Sequence, residues 1–284
     1  MNLITSIYTL DELELLKNNL DYALIHIPGL SLNYKEINVK EALDFCYDNK
    51  IKPVLSLNRI FHPKDLEDVS DVINEYKDYD LLFYIADLGA LNLFLKAGII
   101  NKVIYNPETM ITNYLDMNEY YSLGVNSIGV SSEITLNDLM KISEVNNNIF
   151  YQVFGKRLMF YSRRHLISLY GEKSNNNYPK ENVYLRESTR EDYFPIVEND
   201  NGTLIYRSYN ISMMPYMDEL NIKFAYLESF DMDIDLFKKV NRIFYDVVNK
   251  NIDLMYAKIK LNELELDIDD GFIYKDSVYQ KEEF

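Results

Sequence analysis

The sequence predicts an α/β fold: a parallel (β/α) barrel, TIM-barrel-like, with an antiparallel hairpin insertion between strands seven and eight. Three observations carry that expectation. Short apolar runs alternate with amphipathic stretches seven times before residue 155. The runs are apolar almost throughout, as in strands buried on both faces of a parallel sheet. They begin roughly 20–30 residues apart, which suits an eight-stranded barrel better than a doubly wound sheet. No Gly-x-Gly-x-x-Gly follows the first run, which weakens a dinucleotide-binding alternative.

The first strand is expected at residues 3–8. Thr9-Leu-Asp-Glu12 is a capping box, and it opens a helix with Leu13, Leu16 and Leu20 on one side. A second strand follows at 23–27. Asn38-x-x-Glu41 opens the next helix, where Val39, Leu43 and Cys46 share a face. Cys46 therefore reads as a small buried hydrophobe rather than a nucleophile. Strands three to five are expected at 53–58, 81–86 and 103–105, with helices at 64–76 and from Asp87 towards Gly98. A helix around 117–123 stops at Gly124, a residue free to turn left-handed. Strand six is expected at 127–130, a helix capped by Thr135-x-x-Asp138 comes next, and strand seven follows at 149–154. The regularity then breaks. KSNNNYPK (173–180) is a polar loop, and 183–186, 193–197 and 203–208 read as insertion strands with Asn201-Gly202 as the hairpin turn. Residues 222–228, IKFAYLE, resume the apolar pattern as strand eight, and 236–248 form a helix. The barrel, with its insertion at about 182–210, is thus expected to occupy 1–250, with 251–284 as an extension packed on it.

A chain of 284 residues can bury one large core. No run approaches the roughly 18 apolar residues of a membrane span. The N-terminus lacks the basic region of a secretory signal and carries acids within a dozen positions, so the protein is expected in the cytoplasm, away from membranes. One cysteine excludes an intrachain disulfide and any all-cysteine metal cluster in a single chain. The net charge of −16 disfavours broad nonspecific nucleic-acid binding but leaves room for a local basic site.

That local site stands out in the charge pattern. Asp and Glu number 45 against 29 Lys and Arg, yet residues 145–171 contain no acid. The same stretch holds three of the eight arginines, Arg157, Arg163 and Arg164, together with Lys156 and His165. A positive island in an acidic protein points to a negative partner; the alternative is a chance cluster on a solvated face. In a parallel barrel the functional face lies at the carboxyl ends of the strands. This selects Asn58, Asp87, Asn106, Glu108, Glu133, the Lys156–His165 segment and Glu228. Ser162 is expected to cap a short helix carrying Leu166, Ile167 and Tyr170, with Arg163 and Arg164 in its first turn. Cations there oppose the helix dipole by about 0.3–1 kcal/mol each, a conflict that a bound anion would remove. Arg157, Ser162, Arg163, Arg164 and His165 are therefore the expected anion-binding set. The competing expectation pairs these arginines with Glu133, Glu228 or other acids at the mouth. Glu133, Glu228 and His165 are the acid–base candidates. The three histidines lack metal-ligand spacing, so no metal site is expected. His26 reads as a satisfied barrel histidine and His62 as a loop residue. No Gly-x-Ser-x-Gly elbow is present.

The segment GKRLMFYSRRHLIS resembles the signature of the collagenase-like peptidases, the unassigned peptidase family U-32, matching at Gly155, Tyr161, Ser162, Arg164, Leu166 and Ser168. Other pieces fall in that family's order: Asn58 with His62, Asp87-Leu-Gly89, Asn106-Pro-Glu108-x4-Asn113, Ser132-Glu133-Ile-Thr-Leu, STREDYFPIVENDNGT and DDGFIYKDSVYQ. Asn113 joins the mouth residues on this ground. The resemblance implies a barrel, a peptidase name, and relatives that hydroxylate tRNA uridine, ribosomal RNA cytidine or quinone precursors, several with an iron–sulfur cluster held by cysteines. The signature's cysteine positions here hold Leu158, Phe160 and His165, so no such cluster is expected in one chain. The chain is similar to short, cysteine-poor members paired with a longer cysteine-bearing paralogue in tRNA wobble-uridine hydroxylation. The anion held by the basic island is then expected to be a carboxylate metabolite such as prephenate, which the resemblance implies, or an RNA phosphate. The alternatives are a collagenase-like peptidase and a noncatalytic partner of the paralogue.

Overall fold

The computed structural model describes residues 1–189 and 191–274. Arg190 of STREDYFPIVENDNGT and residues 275–280 of DDGFIYKDSVYQ lie outside the described residues.

Seven parallel strands come first: β1 (Asn2–Ile7), β2 (Tyr22–His26), β3 (Lys52–Leu57), β4 (Leu82–Ile85), β5 (Val103–Tyr105), β6 (Ser127–Gly129) and β7 (Ile149–Gly155). Between them run helices α1 (Leu10–Leu16), α2 (Val39–Asp48), α3 (Leu66–Tyr76), α4 (Leu88–Lys96), α5 (Tyr114–Ser122) and α6 (Leu136–Val145). The expected caps act as such. The Thr9, Asn38, Asp87 and Thr135 side chains each accept a first-turn amide of α1, α2, α4 and α6. Next come β8 (Leu158–Ser162), α7 (Leu166–Ser174), β9 (Val183–Leu185), β10 (Phe194–Asn199) and β11 (Gly202–Tyr206). They build a separate antiparallel sheet in the order β8-β11-β10-β9, with α7 joining two of its strands. The short β12 (Asn210–Ser212) then returns to pair antiparallel with β7. Finally β13 (Phe224–Leu227) pairs parallel with both β7 and β1, closing an eight-stranded parallel barrel. Helices α8 (Ile234–Val248) and α9 (Leu254–Asn262) follow, and β14 (Ile268–Asp269) pairs with β12.

The sheet insertion is larger than expected. It starts at β8, not near residue 182, because LMFYS pairs antiparallel with β11 instead of looping out. Leu158 and Tyr161 pack with Leu204, Tyr206 and Leu32 to give the insertion its own small core. The hairpin turn also moves: Asp200 and Asn201 form it, and Gly202 is the first residue of β11. Gly202 has φ +124°, and a Cβ there would lie 2.1 Å from the Ser162 carbonyl oxygen, so close approach of β8 demands glycine.

Side chains alternate across the barrel strands, as period two requires. One set, Ile4, Leu24, Val54, Tyr84, Ile104, Phe150, Phe224 and Tyr226, forms the interior cluster. The opposite set, such as Leu3, Ile25, Leu55 and Phe83, belongs to the larger core that includes helix residues Leu43, Cys46, Val69 and Phe94. Cys46 is fully buried, and burial pushes its thiol up to about 12.

Candidate functional site at the barrel mouth

The interior parity, carried on to the carboxyl ends of the strands, selects the site. The series run Ile4–Ser6–Tyr8, Leu24–His26, Val54–Ser56–Asn58, Ile104–Asn106, Phe150–Gln152 and Phe224–Tyr226–Glu228. Tyr8, His26, Asn58, Asn106, Gln152 and Glu228 all line one cavity of about 70 Å³ above the interior cluster. Leu158 and Tyr206 of the inserted sheet line it as well. A second cavity of about 180 Å³ adjoins it, lined by Glu133, Phe160, Arg207 and Phe272. Glu108, Ser132, Arg157 and Leu158 line both cavities.

Glu228 is the organising acid. Its carboxylate accepts the Tyr8 hydroxyl at 2.9 Å, the Tyr226 hydroxyl at 2.6 Å and the Phe230 amide at 2.9 Å. Burial raises its pKa, and these hydrogen bonds work in the other direction. A carboxylate so engaged holds both tyrosines in place on the cavity wall. Tyr8 in turn stacks on His26, with ring centroids 4.4 Å apart and planes 6° from parallel. His26 is 4% exposed, and neither ring nitrogen has a partner. Burial pushes it down to about 3, so the ring is neutral. The expected satisfied barrel histidine is instead an unsatisfied one on the cavity wall, because the neighbouring hydroxyls of Ser6 and Ser56 are bonded to Ser229 and Asn58.

Arg157 is the buried cation of the mouth, 5% exposed. It donates to the Ser132 carbonyl at 2.8 Å and the Gln152 carbonyl at 3.3 Å, lies over the Tyr151 ring, and keeps Nε unpartnered. Lys156 beside it is paired with Asp231. Glu108 sits at φ +60°, a left-handed conformation uncommon for a side-chain-bearing residue. Its amide donates to Asn106 Oδ1, and Asn106 Nδ2 donates to the Tyr84 hydroxyl at 2.7 Å. Gly129 makes that possible, since a Cβ there would lie 2.0 Å from Asn106 Oδ1. Burial pushes the Glu108 carboxyl up to about 7, with Arg157 opposing and Glu228 adding to the rise.

The other expected site residues are placed differently. Ser162 ends β8 and does not cap α7. Arg163 and Arg164 precede the helix, so they meet no dipole from inside its first turn. Glu198 of β10 fills the expected anion position instead, accepting the Ser168 amide at 3.1 Å and the Ser168 hydroxyl. Burial raises the Glu198 pKa, but those hydrogen bonds, with Lys180, leave it lowered on balance. Arg163 pairs with Asp65 at 3.1 Å, not with Glu133 or Glu228, and Asp65 also holds the buried Arg59. Arg164 and His165 are exposed, and His165 supplies no side-chain cap to α7. Glu133 is exposed on the outer cavity. Asp87 caps α4 and Asn113 caps α5, neither lining the mouth cavity. Tyr8, Tyr84, Gln152, Tyr206 and Tyr226 were not among the expected site residues; strand parity was the signal for all but Tyr206.

Among the described residues no cluster of three or more His, Cys, Asp or Glu could hold a metal ion. The lone cysteine is on the buried face of α2 with a strongly suppressed thiolate, so it does not fit a cluster ligand. No helix among the described residues is long and apolar enough to cross a membrane.

Residues 30–268, from the loop after β2 to the start of β14, match the family model described as Peptidase family U32. The chain belongs to peptidase family U32. This U32 protein is 24% identical over 286 aligned positions to tRNA hydroxylation protein P2 of Bacillus subtilis, covering 88% of this chain and 89% of that one. It is 26% identical over 132 positions to tRNA hydroxylation protein P of Helicobacter pylori, covering 45% of this chain and 31% of that one. Among solved structures, a U32 peptidase shares the fold with a TM-score of 0.51 at 11% identity, over 80% of this chain and 92% of its own.

Proposed function

We propose that this U32 protein is a subunit or accessory protein of a tRNA uridine hydroxylation system whose barrel mouth binds a small anionic ligand. The similarity to tRNA hydroxylation protein P2 along nearly the whole of both chains carries the first part. Arg157 carries the second: a buried guanidinium with an unpartnered Nε, on the wall of a cavity where His26 is also unsatisfied. Buried polar groups without partners are rare and call for a ligand or ordered water. We take a small carboxylate such as prephenate as the ligand, because the two adjoining cavities of about 70 and 180 Å³ suit a small molecule better than a nucleic-acid backbone. Arg164 and His165, exposed outside the cavities, are the proposed contacts to tRNA phosphate. One buried cysteine cannot supply a thiolate set, so any cluster chemistry in the system falls to a cysteine-bearing paralogue as partner.

Mass spectrometry of tRNA nucleosides from a deletion strain tests the reading. Loss of hydroxyuridine-type modification, restored by the wild-type gene and not by Arg157→Ala, is expected. Unchanged modification in the deletion strain would end it.

A further inference from the structure

We propose that Glu108 is a ligand-contacting residue that meets the bound carboxylate as a neutral acid, donating its proton to one ligand oxygen while Arg157 faces the charge. The inference rests on the carboxylate reading of the mouth and adds the residue that selects the ligand.

Four observations carry it. Glu108 and Arg157 both line the inner and the outer cavity, so both border a ligand held in either one. Among the described residues the Glu108 carboxyl makes no hydrogen bond or ion pair; only its backbone amide is engaged. Arg157 is not within ion-pair distance of it and has its own unpartnered Nε. The backbone holds Glu108 in a left-handed conformation anchored through Asn106 to Tyr84, which fixes the carboxyl in the shared wall rather than leaving it on a mobile tip.

The surrounding charges decide its protonation state when a carboxylate binds. Glu228 is the nearest acid from β13, and Glu133 is the acid on the outer cavity. The cations are Arg157, Lys156, which is already paired with Asp231, and Arg207, which lies over Phe272. His26 is neutral, and burial pushes Tyr8, Tyr84, Tyr206 and Tyr226 above the usual phenol range. A carboxylate ligand therefore meets one buried cation with an unpartnered nitrogen, Arg157, and two acids besides Glu108. An ionised Glu108 would repel it; a protonated one adds a short, strong donor in the wall shared by both cavities. The buried carboxyl's tendency to stay protonated to about 7 supports that state.

Calorimetric titration of the full chain with prephenate, and separately with inorganic phosphate, at about pH 6 and about pH 8.5 tests this. Wild type is expected to bind prephenate at the lower pH and to weaken roughly tenfold or more at the higher, with proton uptake read from buffers of different ionisation heat. Glu108→Gln, an isosteric permanent donor, is expected to bind equally at both pH values without proton uptake, and Glu108→Ala weakly at both. Prephenate binding by wild type that is independent of pH, or Glu108→Gln binding as poorly as Glu108→Ala, overturns the role of Glu108 and leaves the anion site standing. Binding of phosphate but not prephenate overturns the carboxylate as ligand. No binding of either anion by wild type overturns both the role and the anion reading on which it rests.

Discussion

Replacing Glu198 with alanine isolates the acid that occupies the start of α7. The side chain is fully buried and joins the inserted sheet to the helix through the Ser168 amide and hydroxyl, with Lys180 at 3.3 Å. Losing a cap of this kind costs about 0.5–2 kcal/mol. Stranding buried donors at the helix start adds about 1–3 kcal/mol. The ion pair with the exposed Lys180 contributes at most about 1 kcal/mol. A total near 3 kcal/mol corresponds to roughly a 100-fold larger opening equilibrium for the segment. Hydrogen exchange across Leu166–Ser174 reads that directly. Glu198→Ala is expected to lose about two orders of magnitude of protection there, with barrel strands unaffected. Acid supplies an independent check. The folded pKa of Glu198 is lowered, so its contribution is present above the unfolded value of about 4.3 and is lost as pH falls through the folded value. Wild-type protection in α7 should fall with acidification, and the variant should show little of that fall. Protection unchanged within about threefold would refute the internal cap. It would also reopen the helix start as a site for an external anion.

Three further outcomes follow from the geometry. Gly155→Ala places a Cβ 2.2 Å from the Glu228 carbonyl oxygen at φ +104°, so soluble expression and thermal melting should show a loss of more than about 2 kcal/mol; near-wild-type melting would contradict the packing of β7 against β13. His26 has a depressed pKa, so wild-type stability is fully present above about 6.5 and is lost progressively as pH falls towards about 3. His26→Phe should therefore gain on wild type in denaturant titrations as pH drops, and parallel pH profiles would show that the ring is protonated in the fold. Arg163→Ala leaves Arg59 on Asp65 and should cost less than about 1 kcal/mol by urea unfolding; a loss above about 2 kcal/mol would mean the pair is structurally essential.

Much of the barrel was legible because its signals are local. The apolar runs had to be strands buried on both sides, and Thr9, Asn38, Asp87 and Thr135 each announced a helix start through a side-chain oxygen within three residues of its amide partner. Part of the cavity lining was legible for the same reason: Asn58, Asn106, Glu108, Arg157 and Glu228 lie where strands end, and all line the cavity. The LMFYS segment was not legible. Its partner, β11, lies some forty residues on, and nothing local distinguishes an edge strand from a loop there. Reading Ser162 as a cap followed from that error. The carboxylate at the start of α7, Glu198, comes from β10, thirty residues beyond the Ser168 amide it accepts, so no local pattern announces it.

By itself the sequence determined the order of the eight parallel barrel strands and of the helices between the first seven, the single cysteine on an apolar helix face, and the basic stretch from Lys156 to His165 in an acidic chain. These depend on periodicity, composition and contacts a few residues apart. Tertiary structure alone decided which charges are free. It drew Asp65 to Arg163, Asp231 to Lys156 and Glu198 to the start of α7, leaving Arg157, Glu108 and the neutral His26 together on one cavity wall. The balance between ion pairing and orphaned polarity is set by neighbours 30, 75 and 98 residues apart, which local sequence patterns do not bring together.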